Sequence, residues 1–280
     1  MSQEIITSSS NPYIKYVKSL IKKPGLRKRD NVYLVEGMRM IKDAPEDDIH
    51  TLIVSSELMT ESEALELVLG PSARHFSEEA IGEDVNAMFL NIVMVSPEVI
   101  KSVSETVTPQ GIVAVMKRKE YTDYKGKSSY LLLEDIQDPG NLGTLMRTAE
   151  AAGIDVVIMS RGCVDIYNPK TIRSTMGTIY RQPFITCYDM NEWDTIVDDL
   201  IRDGVKLYGG YLDDSSYYAD VDFTARCGIV IGNEGNGISD EMIAKIDKVN
   251  IPMNGEIESL NASVAGSILM YEMNRQRYTR

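Results

Sequence analysis

The sequence predicts an α/β protein with two domains, a small α/β domain followed by a larger one built on a mostly parallel sheet. Three observations support this prediction. The chain has 280 residues, which suits one large domain or two ordinary ones. Its 43% hydrophobic and 25% charged residues are typical of a soluble globular protein, not of a disordered chain or a membrane bundle. From Tyr130 onward, apolar strands alternate with helices, as in a parallel sheet covered on both faces.

The first domain begins with a helix. Asn11 and Pro12 form an N-cap followed by proline at the first helical position, and Ile14, Val17 and Ile21 then recur at helical spacing. The other predicted elements are a strand at Val32–Glu36, a helix from Gly37, a strand at 51–55, helical segments through Leu69 and a strand at 111–116. The following segment lacks apolar periodicity. We therefore expect a domain at 1–116 and a linker at 117–128.

The second domain, expected at 129–280, shows the regular alternation. Its predicted strands are 130–134, 155–160, 183–188, 205–211, 228–232 and 249–251. Its predicted helices are 141–152, one opened by Asn168 and Pro169, 192–202, one from Ser239, and 260–277. Apolar runs such as DVVIM and GIVIG fit strands that are buried on both faces.

Positive charge is concentrated near the N-terminus. Residues 1–42 carry nine Lys and Arg against three Asp and Glu, although the whole chain has a net charge of -13. We expect this segment to contact a partner that carries phosphates. The alternative is a solvated helix face over a small core. The residues predicted to bind RNA are Lys15, Lys18, Lys22, Lys23, Arg27, Lys28 and Arg29.

Composition argues against several other classes of protein. The three cysteines are far apart and form no C-x-x-C pair, and only two histidines, His50 and His75, are present, so we expect no metal site. No apolar run reaches the roughly 18 residues of a spanning helix, and the N-terminus lacks the apolar core of a secretory signal. We therefore expect a cytoplasmic protein with reduced cysteines.

Three loops that follow predicted strands are candidates for the chemistry, because ligands bind beyond the carboxyl ends of such strands. In 138–147, Pro139 and Gly140 predict a turn and Gly143 a close backbone approach. In 231–239, three glycines can expose main-chain groups to a ligand. Their order is not that of the dinucleotide fingerprint, and no phosphate-binding lysine motif occurs. The third loop, 251–266, is longer than a helix cap requires.

Taken together, these loops resemble the three motifs of the SpoU, or TrmH, family of RNA ribose 2'-O-methyltransferases. The matching sequences are NLGTLMR at 141–147, IGNEGNG at 231–237 and IPMNGEIESLNAS at 251–263. YNPKTIRSTMG at 167–177 also resembles a stretch of that family, with Thr175 where serine is more usual. The N-terminal segments NPYIKYVKSL, VYLVEG and TVTPQGIVAV resemble, less specifically, the family's substrate-binding domain.

The resemblance implies a SPOUT methyltransferase domain with a deep trefoil knot, S-adenosylmethionine as cofactor, a homodimer and an RNA substrate. The cofactor residues it implies, with neighbours in the same loops, are Gly232, Asn233, Gly235, Ile251, Met253 and Leu260. The catalytic residues expected are Arg147, Asn141, Glu234, Ser259 and Asn261. Since a guanidinium is a poor proton acceptor, we expect Arg147 to clamp a substrate phosphate that helps to take the proton. Small residues of the last helix, Ala262, Ala265 and Gly266, would allow close packing in the knot or on a second subunit.

The predicted activity is methylation of a ribose 2'-hydroxyl in structured RNA, with 23S ribosomal RNA preferred. A transfer RNA substrate is the first alternative. A catalytically silent RNA-binding paralogue is the second, disfavoured because the polar members of all three motifs are present. A nicotinamide dehydrogenase is disfavoured by the glycine order.

Overall fold

The computed structural model describes residues 5–70, 91–211, 215–257 and 259–278. The chain divides into two compact units. The first comprises Met1–Lys119 and the short segment Tyr167–Arg173, and the second comprises Glu120–Ile166 and Ser174–Arg280. The chain therefore leaves the second unit once, contributes seven residues to the first, and returns.

In its described residues, the first unit is a four-stranded sheet with short helices. Its described strands are β1 (Val32–Glu36), β2 (Ile49–Ser55), β3 (Asn91–Val95) and β4 (Ile112–Lys117), in the order β1-β4-β2-β3. β4 is antiparallel to both of its neighbours, whereas β2 and β3 are parallel. Its described helices are α1 (Pro12–Lys22), α2 (Pro24–Asp30), α3 (Met38–Lys42), α4 (Glu61–Leu69) and α5 (Pro97–Ser102). α2, β3 and α5 were not predicted from the sequence.

The first helix starts as predicted. The Asn11 side chain accepts a hydrogen bond from the Tyr13 N–H at 2.9 Å, which satisfies one of the N–H groups that a helix start leaves without a partner. Ile14, Val17 and Leu20 are buried against the sheet. Ile21, which the spacing also assigned to the core, is only half-buried, so Leu20 completes the buried stripe.

The second unit is a seven-stranded parallel sheet with helices, which confirms the predicted alternation. Its described strands are β5 (Ser129–Leu133), β6 (Val156–Met159), β7 (Phe184–Thr186), β8 (Lys206–Gly210), β9 (Ser216–Tyr217), β10 (Cys227–Ile231) and β11 (Asp247–Asn250). Their order is β7-β6-β5-β10-β8-β11-β9, and all neighbours pair in parallel. The described helices of this unit are α6 (Pro139–Ala152), α8 (Met190–Arg202), α9 (Asp240–Ile243) and α10 (Ala262–Arg277). A further helix, α7 (Pro169–Thr175), lies mostly in the segment that belongs to the first unit. Every side chain of β5 and β10 is buried, as expected for central strands.

Two details of this unit differ from or extend the sequence analysis. Pro139 and Gly140 do not form a separate turn, because the Asp138 side chain caps the helix and accepts the Asn141 N–H at 2.9 Å. Gly266 lies where α10 packs against α6: a Cβ there would lie 2.6 Å from Leu145 Cδ2. Gly266 thus allows close packing within the unit. The trefoil knot stays a prediction.

Candidate active site

The order of the strands brings the three candidate loops to one edge of the sheet. β5, β10, β8 and β11 are consecutive parallel neighbours, so their carboxyl ends lie side by side. Leu133 at the end of β5 pairs with Ile231 at the end of β10, and Gly210 at the end of β8 pairs with Val249. The loops that follow these strands include 138–147, 231–239 and 251–266, the three segments selected from the sequence.

The loops 231–239 and 251–266, together with the end of β8, enclose a cleft of about 340 Å³. A volume of that size is typical of a small-molecule site. All six residues predicted to contact the cofactor line it, namely Gly232, Asn233, Gly235, Ile251, Met253 and Leu260. Glu234, Ser259, Ala262 and Ala265 also line it. The structure therefore brings the second and third candidate loops together around one space.

The loop after β10 is tightly folded around Gly232. A Cβ at Gly232 would come closer than 3.0 Å to the backbone of Gly237 and Ile238, a separation that side chains essentially never show. Asn233 and Gly237 exchange two backbone hydrogen bonds of 2.9 Å across the loop. The Asn233 side chain accepts from the N–H groups of Gly235 and Asn236 at 2.9 and 3.0 Å. Only glycine fits at 232, and the loop's main chain is fixed at the cleft wall.

A chain of hydrogen bonds joins all three candidate loops. The Glu234 carboxylate accepts from the backbone N–H groups of Gln137 and Asp138, both at 3.1 Å, and from Asn141 Nδ2 at 2.9 Å. Asn141 Oδ1 in turn accepts from Asn261 Nδ2 at 3.1 Å. Both atoms of the Asn141 amide are therefore held in place, one by each neighbouring loop.

The environment of Glu234 favours its ionised form. Loss of hydration alone would raise the pKa of this carboxyl, but the hydrogen bonds from Asn141 and from two backbone N–H groups outweigh it. The pKa of Glu234 therefore lies below the usual range of a glutamate. At neutral pH the group is an anion that accepts hydrogen bonds, so its geometry favours positioning over proton transfer.

Asn261 has a second role, in the structure of the last helix. Its Oδ1 accepts from the N–H groups of Ser263 and Val264, at 2.9 and 3.3 Å, and so caps the start of α10. Ser259 does not cap the helix and instead lines the cleft.

Arg147 lies in the third turn of α6, six residues after Asn141, and its side chain is exposed. Among the described residues, neither Arg147 nor Asn141 belongs to the cleft wall. The same helix is held close to Ser174, since a Cβ at Gly143 would come closer than 3.0 Å to the Ser174 backbone and side chain. The close approach predicted at Gly143 is thus present, and the role of Arg147 stays a prediction.

The basic segment folds as two helices, α1 and α2, in the first unit. Lys15, Lys22 and Lys23 are exposed, as are Lys28 and Arg29. Lys18 is half-buried, with its Nζ 3.5 Å from the Ser9 carbonyl oxygen, and Arg29 pairs with Asp30 at 2.7 Å. The RNA-binding role of these cations stays a prediction.

The assignment of Arg27 to the exposed basic surface is wrong. Its side chain is only 2% exposed, and its Nη1 donates to the carbonyl oxygens of Leu20 and Ile21 at 2.5 and 3.0 Å. These carbonyls belong to the last turn of α1, where the helix has no N–H donors of its own for them. Arg27 therefore joins α2 to α1 and is not part of the exposed basic surface.

The sequence analysis missed one part of the cleft. Gly210 and Tyr211, at the end of β8, line it, and Lys248 places its Nζ 4.5 Å from the centre of the Tyr211 ring. The signal available was their position directly after a buried parallel strand, where ligand contacts are expected. They lie in none of the three motifs, so the motifs gave no indication of them.

The match to known families covers both units. Residues 128–271 match the SpoU rRNA Methylase family, and residues 11–114 match the MRM3-like substrate binding domain. The chain belongs to the SpoU rRNA methylase family. This confirms the resemblance seen in the motifs.

Relatives within the family align with almost the whole chain. The 23S rRNA (guanosine(2553)-2'-O)-methyltransferase RlmP of Bacillus subtilis is 32% identical over 96% of this chain and 98% of its own length. The SpoU methyltransferase AviRb from Streptomyces viridochromogenes, solved in complex with the cofactor AdoMet, superposes with a TM-score of 0.80 at 25% identity over 96% of this chain and 99% of that chain. An AdoMet-bound rRNA methyltransferase from Sinorhizobium meliloti shares the fold, with a TM-score of 0.78 at 24% identity over 97% of each chain.

Within the described residues, no group of three or more His, Cys, Asp or Glu side chains is arranged to hold a metal ion. His75, considered above as a metal ligand, lies outside the described residues. No helix in the described part of the chain is long and apolar enough to cross a membrane.

Proposed function

We propose that this chain transfers a methyl group from S-adenosylmethionine to a ribose 2'-hydroxyl of ribosomal RNA, with 23S rRNA as the substrate. The observation that carries the proposal is the meeting of the three SpoU motif loops at one edge of the sheet, where Glu234, Asn141 and Asn261 are joined by hydrogen bonds. Family membership supports the reaction. The 32% identity to RlmP over nearly the full length supports the RNA.

The cleft suits S-adenosylmethionine in size and in chemistry. Ile251, Met253 and Leu260 offer apolar surface for the adenine or the methionine portion, and the glycine-rich loop offers main-chain polar groups. Gly232 would hold this backbone where no other residue fits. The bound cofactor supplies an electrophilic methyl group on a sulfonium centre. AdoMet in the AviRb complex supports the same ligand here.

The remaining chemistry is orientation of a weak nucleophile. A 2'-hydroxyl must lie in line with the methyl group, and effective positioning supplies much of the rate in such reactions. Arg147 would hold a substrate phosphate, which helps to take the proton, and would stabilise the developing alkoxide. Asn141, fixed by Glu234 and Asn261, would orient the ribose or Arg147, and Ser259 would bind substrate or cofactor from the cleft wall.

The first unit would bind the RNA through the exposed cations of α1 and α2. An acidic chain needs a local basic surface for this purpose, because phosphate contacts dominate the affinity for nucleic acids. The residues we assign to that surface are Lys15, Lys18, Lys22, Lys23, Lys28 and Arg29. The match of residues 11–114 to a substrate binding domain supports this assignment. A homodimer and a cytoplasmic location remain predictions.

The test is methyl transfer from labelled S-adenosylmethionine to RNA, with the modified nucleotide mapped by mass spectrometry. We expect 2'-O-methylation of 23S rRNA, and the position named for RlmP is the first place to look. Arg147→Ala should lower the rate by about 10²-fold or more while cofactor binding, measured by calorimetry, survives.

Arg202→Ala is a matched control, because Arg202 is an exposed arginine at the end of α8 that pairs with Asp199 at 2.6 Å. It should keep both properties. Near wild-type turnover by Arg147→Ala would contradict the role of Arg147. Methylation of transfer RNA alone would show that the substrate is transfer RNA and not 23S rRNA. A wild-type chain that binds no S-adenosylmethionine would contradict the proposed function itself.

A further inference from the structure

A side chain outside the three motif loops anchors the glycine loop 231–239. Glu134 directly follows β5 and is only 8% exposed. Its Oε2 accepts from the Ser239 N–H at 2.9 Å, and its Oε1 accepts from Ser239 Oγ at 2.7 Å. Its own N–H donates to the Ile231 carbonyl oxygen at 2.9 Å. One residue therefore holds both the first and the last residue of the loop.

A second anchor holds the middle of the loop. Asn233 Nδ2 donates to the Asp135 carbonyl oxygen at 2.8 Å. Asp135 has a left-handed backbone conformation, with a φ of 56°, and residues other than glycine keep such a conformation only where their surroundings hold it. Ser160 Oγ does so, because it accepts from the Asp135 N–H at 2.9 Å and donates to Asp135 Oδ1 at 2.5 Å. The chain after β5 is thus fixed in the shape that meets the loop.

The loop lies between these anchors and the cleft. Residues 231–238 all line the cleft, whereas Glu134 and Asp135 are absent from the part of its wall that the described residues form. The loop contains three glycines, and glycine loses more conformational freedom on ordering than any other residue. If the anchor at Ser239 were lost, the loop would spend more time in shapes that do not suit a ligand. The apparent affinity for a ligand falls in proportion to the fraction of molecules that can bind it.

We propose that Glu134 is a positioning residue for the cofactor: its carboxyl group clamps the end of the glycine loop, so that the loop is ordered before S-adenosylmethionine binds. This inference rests on the proposed function, since it assumes that the cleft binds this cofactor. The tip of the loop is held separately, because Glu234 accepts from the N–H groups of Gln137 and Asp138. Glu134 should therefore govern the affinity for the cofactor and leave the rate of the chemical step nearly unchanged.

The experiment measures the dissociation constant of S-adenosylmethionine by calorimetry, kcat at saturating cofactor and 23S rRNA, and the melting temperature. Glu134→Ala removes both contacts with Ser239. It should raise the dissociation constant about tenfold, as expected if the loop keeps its binding shape in only about a tenth of the molecules, and kcat should stay within about threefold of wild type. Glu134→Gln can keep both contacts, since its Oε1 accepts from the Ser239 N–H and its Nε2 donates to Ser239 Oγ, so it should bind within about threefold of wild type.

Gln182→Ala is the matched control for a loss of stability alone. Gln182 belongs to the same unit and is 2% exposed, and its Nε2 donates to the carbonyl oxygens of Ile154 and Pro183 at 3.0 and 3.2 Å. These residues precede β6 and β7, so the contacts lie at the amino edge of the parallel sheet, opposite to the cleft. Gln182→Ala should lower the melting temperature much as Glu134→Ala does, while its dissociation constant stays at the wild-type value.

Ser239→Ala tests the same clamp from its other side, and it reports on the clamp if Glu134→Ala does not fold. It removes one of the two contacts and should raise the dissociation constant about threefold. Adding it to Glu134→Ala should change the dissociation constant little further, because the partner of Ser239 Oγ is already gone.

The outcomes separate this inference from the proposed function. A wild-type dissociation constant for Glu134→Ala, whatever its melting temperature, would overturn the inference alone, as would an equal loss of affinity in Gln182→Ala. A lower kcat with unchanged affinity would assign Glu134 to the chemical step and would also overturn it. Failure of the wild-type chain to bind S-adenosylmethionine would instead refute the function on which the inference rests.

Discussion

Replacing Gly232 by alanine should damage both the stability of the second unit and its affinity for the cofactor. The new Cβ would come closer than 3.0 Å to the backbone of Gly237 and Ile238, which cannot rotate away as a flexible side chain could. Overpacking of this kind costs about 1 to 3 kcal/mol. The same displacement would strain the two 2.9 Å backbone hydrogen bonds between Asn233 and Gly237, each worth about 1 kcal/mol.

These terms give a loss of about 2 to 4 kcal/mol in the free energy of unfolding. For a unit of this size the melting temperature should fall by about 5 to 15 °C. Because the displaced backbone forms the cleft wall, the affinity for S-adenosylmethionine should fall at least about tenfold, which corresponds to about 1.4 kcal/mol.

The assay is thermal melting by circular dichroism together with calorimetric titration of S-adenosylmethionine. Gly235→Ala is the control for stability: it lies in the same loop, has no positive φ, and its added Cβ would meet only Asn233 Oδ1 at an ordinary 3.5 Å. Its melting temperature should stay close to that of wild type. A Gly232→Ala variant with wild-type melting and wild-type affinity would refute the claim that this loop requires glycine at 232.

Three further predictions concern charge. The pKa of Glu234 is lowered, so the stability that its carboxylate contributes is fully present above the usual glutamate pKa and is lost only as the pH falls through the depressed folded-state value. Between pH 8 and about 5 the carboxylate should therefore stay ionised. The pH dependence of cofactor affinity over this range should be the same in wild type and in Glu234→Gln. Arg27→Ala should lower the free energy of unfolding of the first unit by about 2 to 3 kcal/mol, since the carbonyls of Leu20 and Ile21 lose a charged donor. Lys28→Ala should change the free energy of unfolding by no more than about 0.5 kcal/mol and should reduce the salt dependence of RNA binding. The reverse pattern in urea and salt titrations would contradict this assignment. Burial raises the pKa of Cys163 to about 11 and that of Cys187 to about 12, so both thiols should resist iodoacetamide at pH 8 in the native chain and react after denaturation, as read by mass spectrometry.

The sequence predicted the larger unit well because its signals are local. The proline at the start of α7, the cap at Ser239 and the apolar runs of β5 and β10 depend on neighbouring residues and on burial, both of which leave a pattern in the sequence. The cleft-lining residues of the glycine loop could also be predicted from the sequence, because a strand, a glycine cluster and a helix follow one another in the chain.

The remaining features depend on contacts between distant positions. A run of basic residues does not reveal that Arg27 turns inward to the carbonyls of Leu20 and Ile21 while Lys28 stays exposed. Tyr211 carries no motif, and its place in the cleft follows only from the pairing of β8 with β10 and β11. Such features are set by strand order, which periodicity does not specify.

The Glu234 network joins the three motif loops by hydrogen bonds. It joins residues that are 93 and 120 positions apart in the chain, yet Glu234 and Asn261 are exposed and Asn141 is half-buried, so each hydrogen bond contributes only about 1 kcal/mol to stability. Such a network adds little to the free energy of unfolding but strongly restricts the orientation of the Asn141 side chain, since its Nδ2 is held by Glu234 and its Oδ1 by Asn261. Because the helix that begins beside Asn141 also carries Arg147, the carboxylate next to the cofactor cleft helps to fix the element that would present the arginine to RNA. Removal of the Glu234 side chain should therefore alter the orientation of bound ligands more than it alters the free energy of unfolding.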